Sequence, residues 1–327
     1  MGHIDLSISD ALTIPGLEAY PNTSRIVDDV LAVWPEHRKI AARSLGGRDK
    51  ALMDHTEEIA GIVFRVASEH AGGLPDVMQA YRYMCEKIMV PEEWYFRRHN
   101  KYRLSTFLEA NAEVYSQSAL MNRYMLGGLA SYVLWLNHIG TTQHFTQNFI
   151  SKLEPNTDLL EVGPGHGLLL YLASRSPNVS TITGWDVSPE SLKLTRASLD
   201  AMQIDRSIDL KERNIFSGEA PALQESSFDA IVLSEVLEHL ERPGDALKTL
   251  HGLARPNGKV WINVPANSPA PDHIYLIRHP DEAAELVADA GFEVLETGAF
   301  PTAGASLERA IKLELTVNCV VVGRKAA

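Results

Sequence analysis

Two clusters of residues in this chain have the types and spacing to do chemistry. The first is Asp158-Leu-Leu-Glu-Val-Gly-Pro-Gly-His-Gly167, in which an apolar run meets glycines at alternate positions and passes into Leu168-Leu-Leu-Tyr-Leu-Ala173. That order predicts a strand, a tight turn and a helix start. Gly163 and Gly165 permit positive φ and close backbone approach, and the helix N-terminus beyond them offers unpaired N–H groups to a polar or anionic ligand. The second cluster is Ser234-Glu-Val-Leu-Glu-His-Leu-Glu-Arg-Pro243, where Glu235, Glu238 and His239 can move protons or hold a cation. The blander role for Glu238 and His239 is to cap and orient the following helix, and the residues leave both readings open.

The elements that must position these residues divide the chain near residue 150. From Thr23 apolar residues recur at helical spacing: Ile26, Val30, Val33 and Trp34, then Met53, Ile59, Ile62, Val63 and Val66 between Gly47 and Gly72. Further helices are predicted over Pro75–Met89, from Pro91 onward, over Phe107–Tyr115, Ala119–Leu136 and Thr142–Leu153, behind an irregular arm at 1–22. After Pro155 strands alternate with helices: Asp158–Gly163, Thr181–Val187, Ile208–Arg213, Phe228–Leu233, Lys259–Val264, Phe292–Thr297 and Leu315–Val322. The expected fold is therefore α/β, a Rossmann-like, doubly wound, mostly parallel seven-stranded sheet over 151–327, preceded by an all-helical domain over 1–150 that roofs the substrate pocket. In such a sheet ligands bind beyond the carboxyl ends of the strands, where both clusters lie.

Composition narrows the partners. The formal charge of −12 is uneven, with 17 acids against 15 bases up to residue 153 and 25 against 15 beyond it, which argues against nucleic acid as a partner. The run Arg97, Arg98, Lys101 and Arg103, interleaved with Trp94, Tyr95, Phe96 and Tyr102, reads either as a receptor for an anionic aromatic group or as a solvated basic face. Two distant cysteines, Cys85 and Cys319, give no disulfide framework, and neither a signal peptide nor a membrane-spanning run is legible. The expectation is a cytoplasmic protein with a small-molecule substrate; a homo-oligomer is compatible with it.

The form Glu161-x-Gly163-x-Gly165-x-Gly167 resembles motif I of the class I S-adenosylmethionine (SAM) dependent methyltransferases, and differs from the G-x-G-x-x-G of nicotinamide-binding strands. The resemblance extends from roughly Phe145 to Gly323. It implies SAM as cofactor, bound by Glu161, with the three glycines at its amino-acid part, Asp186 at the end of the second strand on the ribose hydroxyls, and Asn214 with Ile215 at the adenine, where the family often has an acid instead. Val187 and Ser234 complete the implied cofactor set. The segment Glu235-x-x-Glu238-His239, with His273 after the fifth strand, is similar to that of metal-assisted O-methyltransferases. This implies a divalent ion (Mn, Fe, Co, Zn or Mg) on Glu235, Glu238, His239 and His273, with Glu238 and His239 catalytic. The implied activity is methyl transfer from SAM to a small molecule, at oxygen. The alternatives are metal-independent N- or C-methylation and a non-catalytic SAM-binding protein.

Overall fold

The computed structural model describes residues 16–216, 226–302 and 304–327; of the arm expected over 1–22, residues 1–15 lie outside the described residues. The helical half comprises α1 (Pro21–Val33), α2 (Arg38–Leu45), α3 (Lys50–Ser68), α4 (Gly73–Tyr83), α5 (Val90–His99), α6 (Phe107–Ala110), α7 (Ser118–Leu134) and α8 (Leu136–His144). Sequence signals set several of the ends. Pro21 occupies the first position of α1, and the Asp49 carboxylate caps α3 by accepting the Leu52 N–H at 2.8 Å.

Two helix boundaries differ from expectation. Pro91 stands in the first turn of α5 as expected, but the chain runs into it from α4 without a loop. A π-turn over Met84–Met89, in which the Val90 N–H reaches back to the Cys85 carbonyl, shifts the hydrogen-bond ladder just before the residue that has no N–H to give. The break expected between Leu136 and Thr142 falls instead at Trp135, which is extended (φ −106°, ψ 130°) between α7 and α8. Gly140 lies inside α8, and the Phe300 ring packs where a side chain would stand, 2.7 Å from an added Cβ.

The second half reads β1 (Thr157–Val162), α9 (Leu168–Ser174), β2 (Val179–Asp186), α10 (Pro189–Ala201), β3 (Asp209–Glu212), β4 (Phe228–Ser234), α11 (Pro243–Leu253), β5 (Ala254–Ala266), α12 (Pro280–Asp289), β6 (Phe292–Pro301), α13 (Leu307–Lys312) and β7 (Val317–Lys325). They form a seven-stranded sheet in the order β3-β2-β1-β4-β5-β7-β6. The pairs are parallel except where β7 inserts antiparallel between β5 and β6. The order reverses between β1 and β4, so the loops after these two strands face a common crevice. Strand β5 is longer than expected, because the Pro256-Asn257-Gly258 turn is absorbed as an irregularity with Asn257 at φ 64°. Helix α13 was not anticipated.

Side chains alternate across β1, so Leu159 joins one core and Leu160 the other. The Leu159 core crosses the boundary at residue 150. Ile59, Met78, Tyr81, Leu134, Phe145 and Phe149 from the helices pack in one cluster with Leu170 of α9, Trp261 of β5 and Val320 of β7. This shared core presses the helical half onto the sheet.

Candidate active site

The glycine loop follows β1 with Gly163, Gly165 and Gly167 at φ 70°, 50° and 76°. Each has a different reason for being glycine. A Cβ on Gly163 would stand 2.6 Å from Val236 Cγ2, so the loop abuts the segment after β4. At Gly165 an added Cβ meets nothing within 4 Å, and the residue lines a cavity of about 840 Å³. Gly167 caps α9 with its Cα against Leu199 and Thr195, and does not line the cavity. The Thr195 hydroxyl donates to the Gly165 carbonyl at 2.6 Å and holds the loop open.

The other residues implied for the cofactor converge on the same cavity: Glu161, Asp186, Val187, Asn214, Ile215 and Ser234 all line it. Glu161 is 3% exposed, its Oε2 has no hydrogen-bond partner, and burial raises its pKa well above the ordinary carboxylate range. At the end of β2, Asp186 accepts from the Ser188 N–H (2.9 Å) and the Ser191 hydroxyl (3.0 Å), one on each oxygen. Each oxygen keeps a lone pair for a ligand. Asn214 spends one lone pair of its side-chain carbonyl on the Phe216 N–H at 2.9 Å.

At the other end of the cavity, β4 ends in Ser234 and the chain turns sharply at Glu235, whose φ of 54° is left-handed. A short 3₁₀ turn, Leu237–His239, follows. The N–H groups of Ile274 and Tyr275 both donate to the Glu238 backbone carbonyl, at 2.8 and 2.9 Å. That clasp carries His273 from the loop after β5 to the loop after β4. The Glu238 carboxylate is 0% exposed, and neither of its oxygens has a hydrogen-bond partner. His239 Nε2 lies 3.7 Å from Glu238 Oε1 and His273 Nε2 lies 3.9 Å from it. Ligand atoms of these three residues fall within 4.8 Å of one another.

Both imidazoles have their other nitrogen engaged. His273 Nδ1 sits 2.5 Å from the Ser268 carbonyl, which can only accept, so Nδ1 carries the proton and Nε2 the lone pair. His239 Nδ1 donates likewise to the Asp272 carbonyl at 3.0 Å. Burial, and then His239, push the His273 imidazole down to about 3, which keeps it neutral. Burial also raises both carboxyls, Glu235 to about 7 and Glu238 well above its usual range with the Glu235 charge adding to the effect.

Glu235 takes a separate place. Its Oε1 accepts from the side-chain amides of Asn263 (2.9 Å) and Asn318 (2.5 Å), and Asn318 is itself held by Asn137 of α8 at 2.7 Å. The structure thus gathers three of the four expected ligands into one cluster and sets Glu235 beside it.

The roof comes from the helical half, partly through the stretch Tyr132–His138, which the sequence leaves open between core and ligand contact, and partly through residues that sequence reasoning did not select. Tyr115, Tyr124, Tyr132, Trp135 and His138 line the cavity with Met84, Met121 and Met125. Trp135 and His138 reach it because the chain breaks at Trp135; the stretch Tyr132–His138 reads as core on helical periodicity alone. The Ser131 hydroxyl is committed to the Gly128 carbonyl at 2.5 Å, so His138 Nδ1, 2.7 Å from Ser131 Oγ, is a donor and its Nε2 an acceptor. Asp272 also lines the cavity, from a loop with no periodicity to mark it.

The basic run has a structural role. Arg97 clamps the carbonyls of Leu313 (2.9 Å) and Glu314 (3.0 Å), and Arg103 pairs with Glu92 and Glu113. Among the described residues no helix is long and apolar enough to cross a membrane.

The family model described as a methyltransferase domain matches residues 135–297. The matched stretch is similar to that methyltransferase domain. It begins at Trp135, where the roof breaks, and ends within β6. The chain is 30% identical over 121 residues to a ubiquinone biosynthesis O-methyltransferase of Xanthomonas axonopodis pv. citri (strain 306), covering 37% of this chain and 48% of that protein. A protein of the same name from Xanthomonas oryzae pv. oryzae (strain PXO99A) is 30% identical over 112 residues, covering 34% and 44%. The chain spans about half the length of these curated relatives. Among solved structures, the chain is similar to the [4+2]-cyclase SpnF (TM-score 0.46, 16% identity, 58% of this chain and 83% of that one). It is also similar to a putative methyltransferase from Bacillus halodurans C-125 (TM-score 0.44, 12% identity, 54% and 96%).

Proposed function

We propose that the cavity binds SAM over the glycine loop and that the domain transfers its methyl group to a hydroxyl oxygen of a small acceptor held under the tyrosine roof, with one divalent cation at Glu238, His239 and His273. The observation that carries the reading is the Glu238 carboxylate, fully enclosed, unpartnered on both oxygens and faced by two Nε2 lone pairs. A buried carboxylate without a partner is costly, and a proton or a cation relieves it. One carboxylate and two neutral imidazoles suit Mn, Fe, Co or Zn better than Mg, which prefers an oxygen shell. The relatives' name supports oxygen as the atom methylated.

When bound, the sulfonium supplies an electrophilic methyl and the cation lowers the pKa of a hydroxyl. The remaining work belongs to side chains of this chain. Glu161 offers its open Oε2 to a cationic ammonium, and Asp186 offers an oxygen to each of two vicinal hydroxyls. Ile215 and Val187 wall a flat apolar ring. The tyrosines and Trp135 exclude water and hold the acceptor in line with the methyl group, the condition on which a displacement of this kind depends. Glu235, at about 7, lines the cavity with a carboxyl able to take a proton near neutrality.

A metal-free N- or C-methylation is the second reading. It is favoured by one observation, that the tautomer of His239 leaves Nε2 a proton acceptor. Metal analysis and transfer of labelled methyl before and after chelation test the proposal. The expected result is one metal per chain and activity that is lost on chelation and restored by Mn²⁺. Full turnover after chelation supports the second reading, and SAM binding with no transfer to any acceptor in a metabolite extract leaves a binding protein.

A further inference from the structure

Beside the candidate cation site lies a residue outside the E-x-x-E-H spacing. Asp272 is 2% exposed and its Oδ1 has no hydrogen-bond partner. Its Oδ2 stands 3.5 Å from His239 Nδ1, and its own backbone carbonyl accepts from that nitrogen at 3.0 Å. The Tyr115 hydroxyl meets the same nitrogen at 3.1 Å. With one proton on Nδ1 shared between two oxygens, the phenol's own hydrogen is free to turn toward the carboxylate. After burial, the Asp272 charge is the next largest influence raising both the Tyr115 and the Tyr124 hydroxyl. The two tyrosines belong to the roof, Tyr115 from the π-turn after α6 and Tyr124 from α7.

A carboxylate behind a ligating imidazole fixes its tautomer and raises its basicity. Resting on the metal-assisted reading above, we infer that Asp272 is a positioning residue that holds His239 as the Nδ1–H tautomer, aims its Nε2 at the cation, and ties that ligand to the roof through Tyr115. The Asp272→Asn variant isolates the carboxylate's part, because it keeps the shape and the backbone carbonyl while removing the charge and turning one acceptor oxygen into a donor NH2.

The test is a Mn²⁺ titration of the full chain, stripped with chelator and followed by calorimetry, with SAM affinity and thermal midpoint measured on the same samples. For Asp272→Asn the Mn²⁺ dissociation constant is expected to rise roughly tenfold to a hundredfold while SAM affinity and midpoint hold. Tyr115→Phe should give a smaller rise, and Asp272→Glu should recover part of the loss. An Asp272→Asn protein that binds Mn²⁺ as tightly as the parent, or that loses Mn²⁺ and SAM together with its midpoint, overturns the inference. A parent chain that binds no Mn²⁺ overturns both the cation site and this role, and that failure is read before any variant is made.

Discussion

Replacing Glu238 by glutamine should change stability in opposite directions with and without a divalent cation. The carboxyl is 0% exposed, and burial together with the charges of Glu235 and Asp272 raises its pKa well above the ordinary glutamate value of 4.5. In the metal-free protein the folded state therefore keeps a proton that the unfolded chain gives up above pH 4.5. Stability falls as pH rises, by about 1.4 kcal/mol per pH unit, until the folded-state pKa is passed. Glutamine keeps no such proton. At pH 7 without metal, Glu238→Gln should be the more stable protein, by about 1–3 kcal/mol after allowing for an amide left short of partners, and its advantage should grow with pH. A cation at a thousandfold its dissociation constant adds about 4 kcal/mol to the parent and little to a variant that has lost the anionic ligand, so the order reverses. Urea unfolding of both proteins at pH 5.5, 7 and 8.5, in chelator and in Mn²⁺, reads this directly. The same ranking in both conditions, or a parent whose midpoint ignores Mn²⁺, would refute the reasoning.

Three further outcomes follow from the geometry. At Gly165 an added Cβ projects into the cavity without meeting the protein, so Gly165→Val should weaken SAM binding by about 1–3 kcal/mol, roughly 5- to 150-fold, besides the backbone strain of a β-branched residue at φ 50°, whereas Gly163→Ala also runs into Val236 and should lower the thermal midpoint more; calorimetry showing Gly165→Val as tight as the parent contradicts the cradle. Asp186→Ala should cost about 1.5–3 kcal/mol of SAM affinity for each hydrogen bond lost to the carboxylate, and unchanged affinity would move the ribose elsewhere. A chain cut at Gln143 loses Leu134 and Ile139 from the core shared with Leu170 and Trp261, and should not give the dispersed NMR spectrum of a folded domain; such a spectrum would show that the sheet half stands alone.

The parts of this molecule written in local patterns were legible in its sequence. Alternation and apolar runs marked all seven strands, and Gly163, Gly165 and Asp186 could be chosen because strand, turn and helix follow one another without interruption there. The antiparallel entry of β7 between β5 and β6 has no local mark, since the pairing partners are far apart in sequence. A helical roof was expected over the pocket, but the side chains that line it were hidden for the same reason. Tyr115, Tyr124 and Trp135 sit on helical stretches whose apolar periodicity reads as core, and only the tertiary arrangement sets them over the mouths of β1 and β4. The break at Trp135 carries no glycine or proline. Asp272 lies in a loop whose course depends on two hydrogen bonds to the Glu238 carbonyl made by the residues just beyond it, Ile274 and Tyr275. Glu235 shows the limit of spacing as a guide: three residues from Glu238, its Oε1 is taken by Asn263 and Asn318, which come from two other strands, and it is not among the three residues whose ligand atoms converge.

The central claim is that this cavity moves a methyl group from SAM to oxygen with a cation held by Glu238, His239 and His273. The most direct measurement incubates the purified full chain with methyl-labelled SAM and a metabolite extract, with and without chelator, and identifies the labelled product by mass and fragmentation. The account predicts one labelled methyl ether, absent after chelation, restored by Mn²⁺, and absent again in His273→Ala. A label on nitrogen or carbon, or a methyl ether formed equally well in chelator and by His273→Ala, would contradict it.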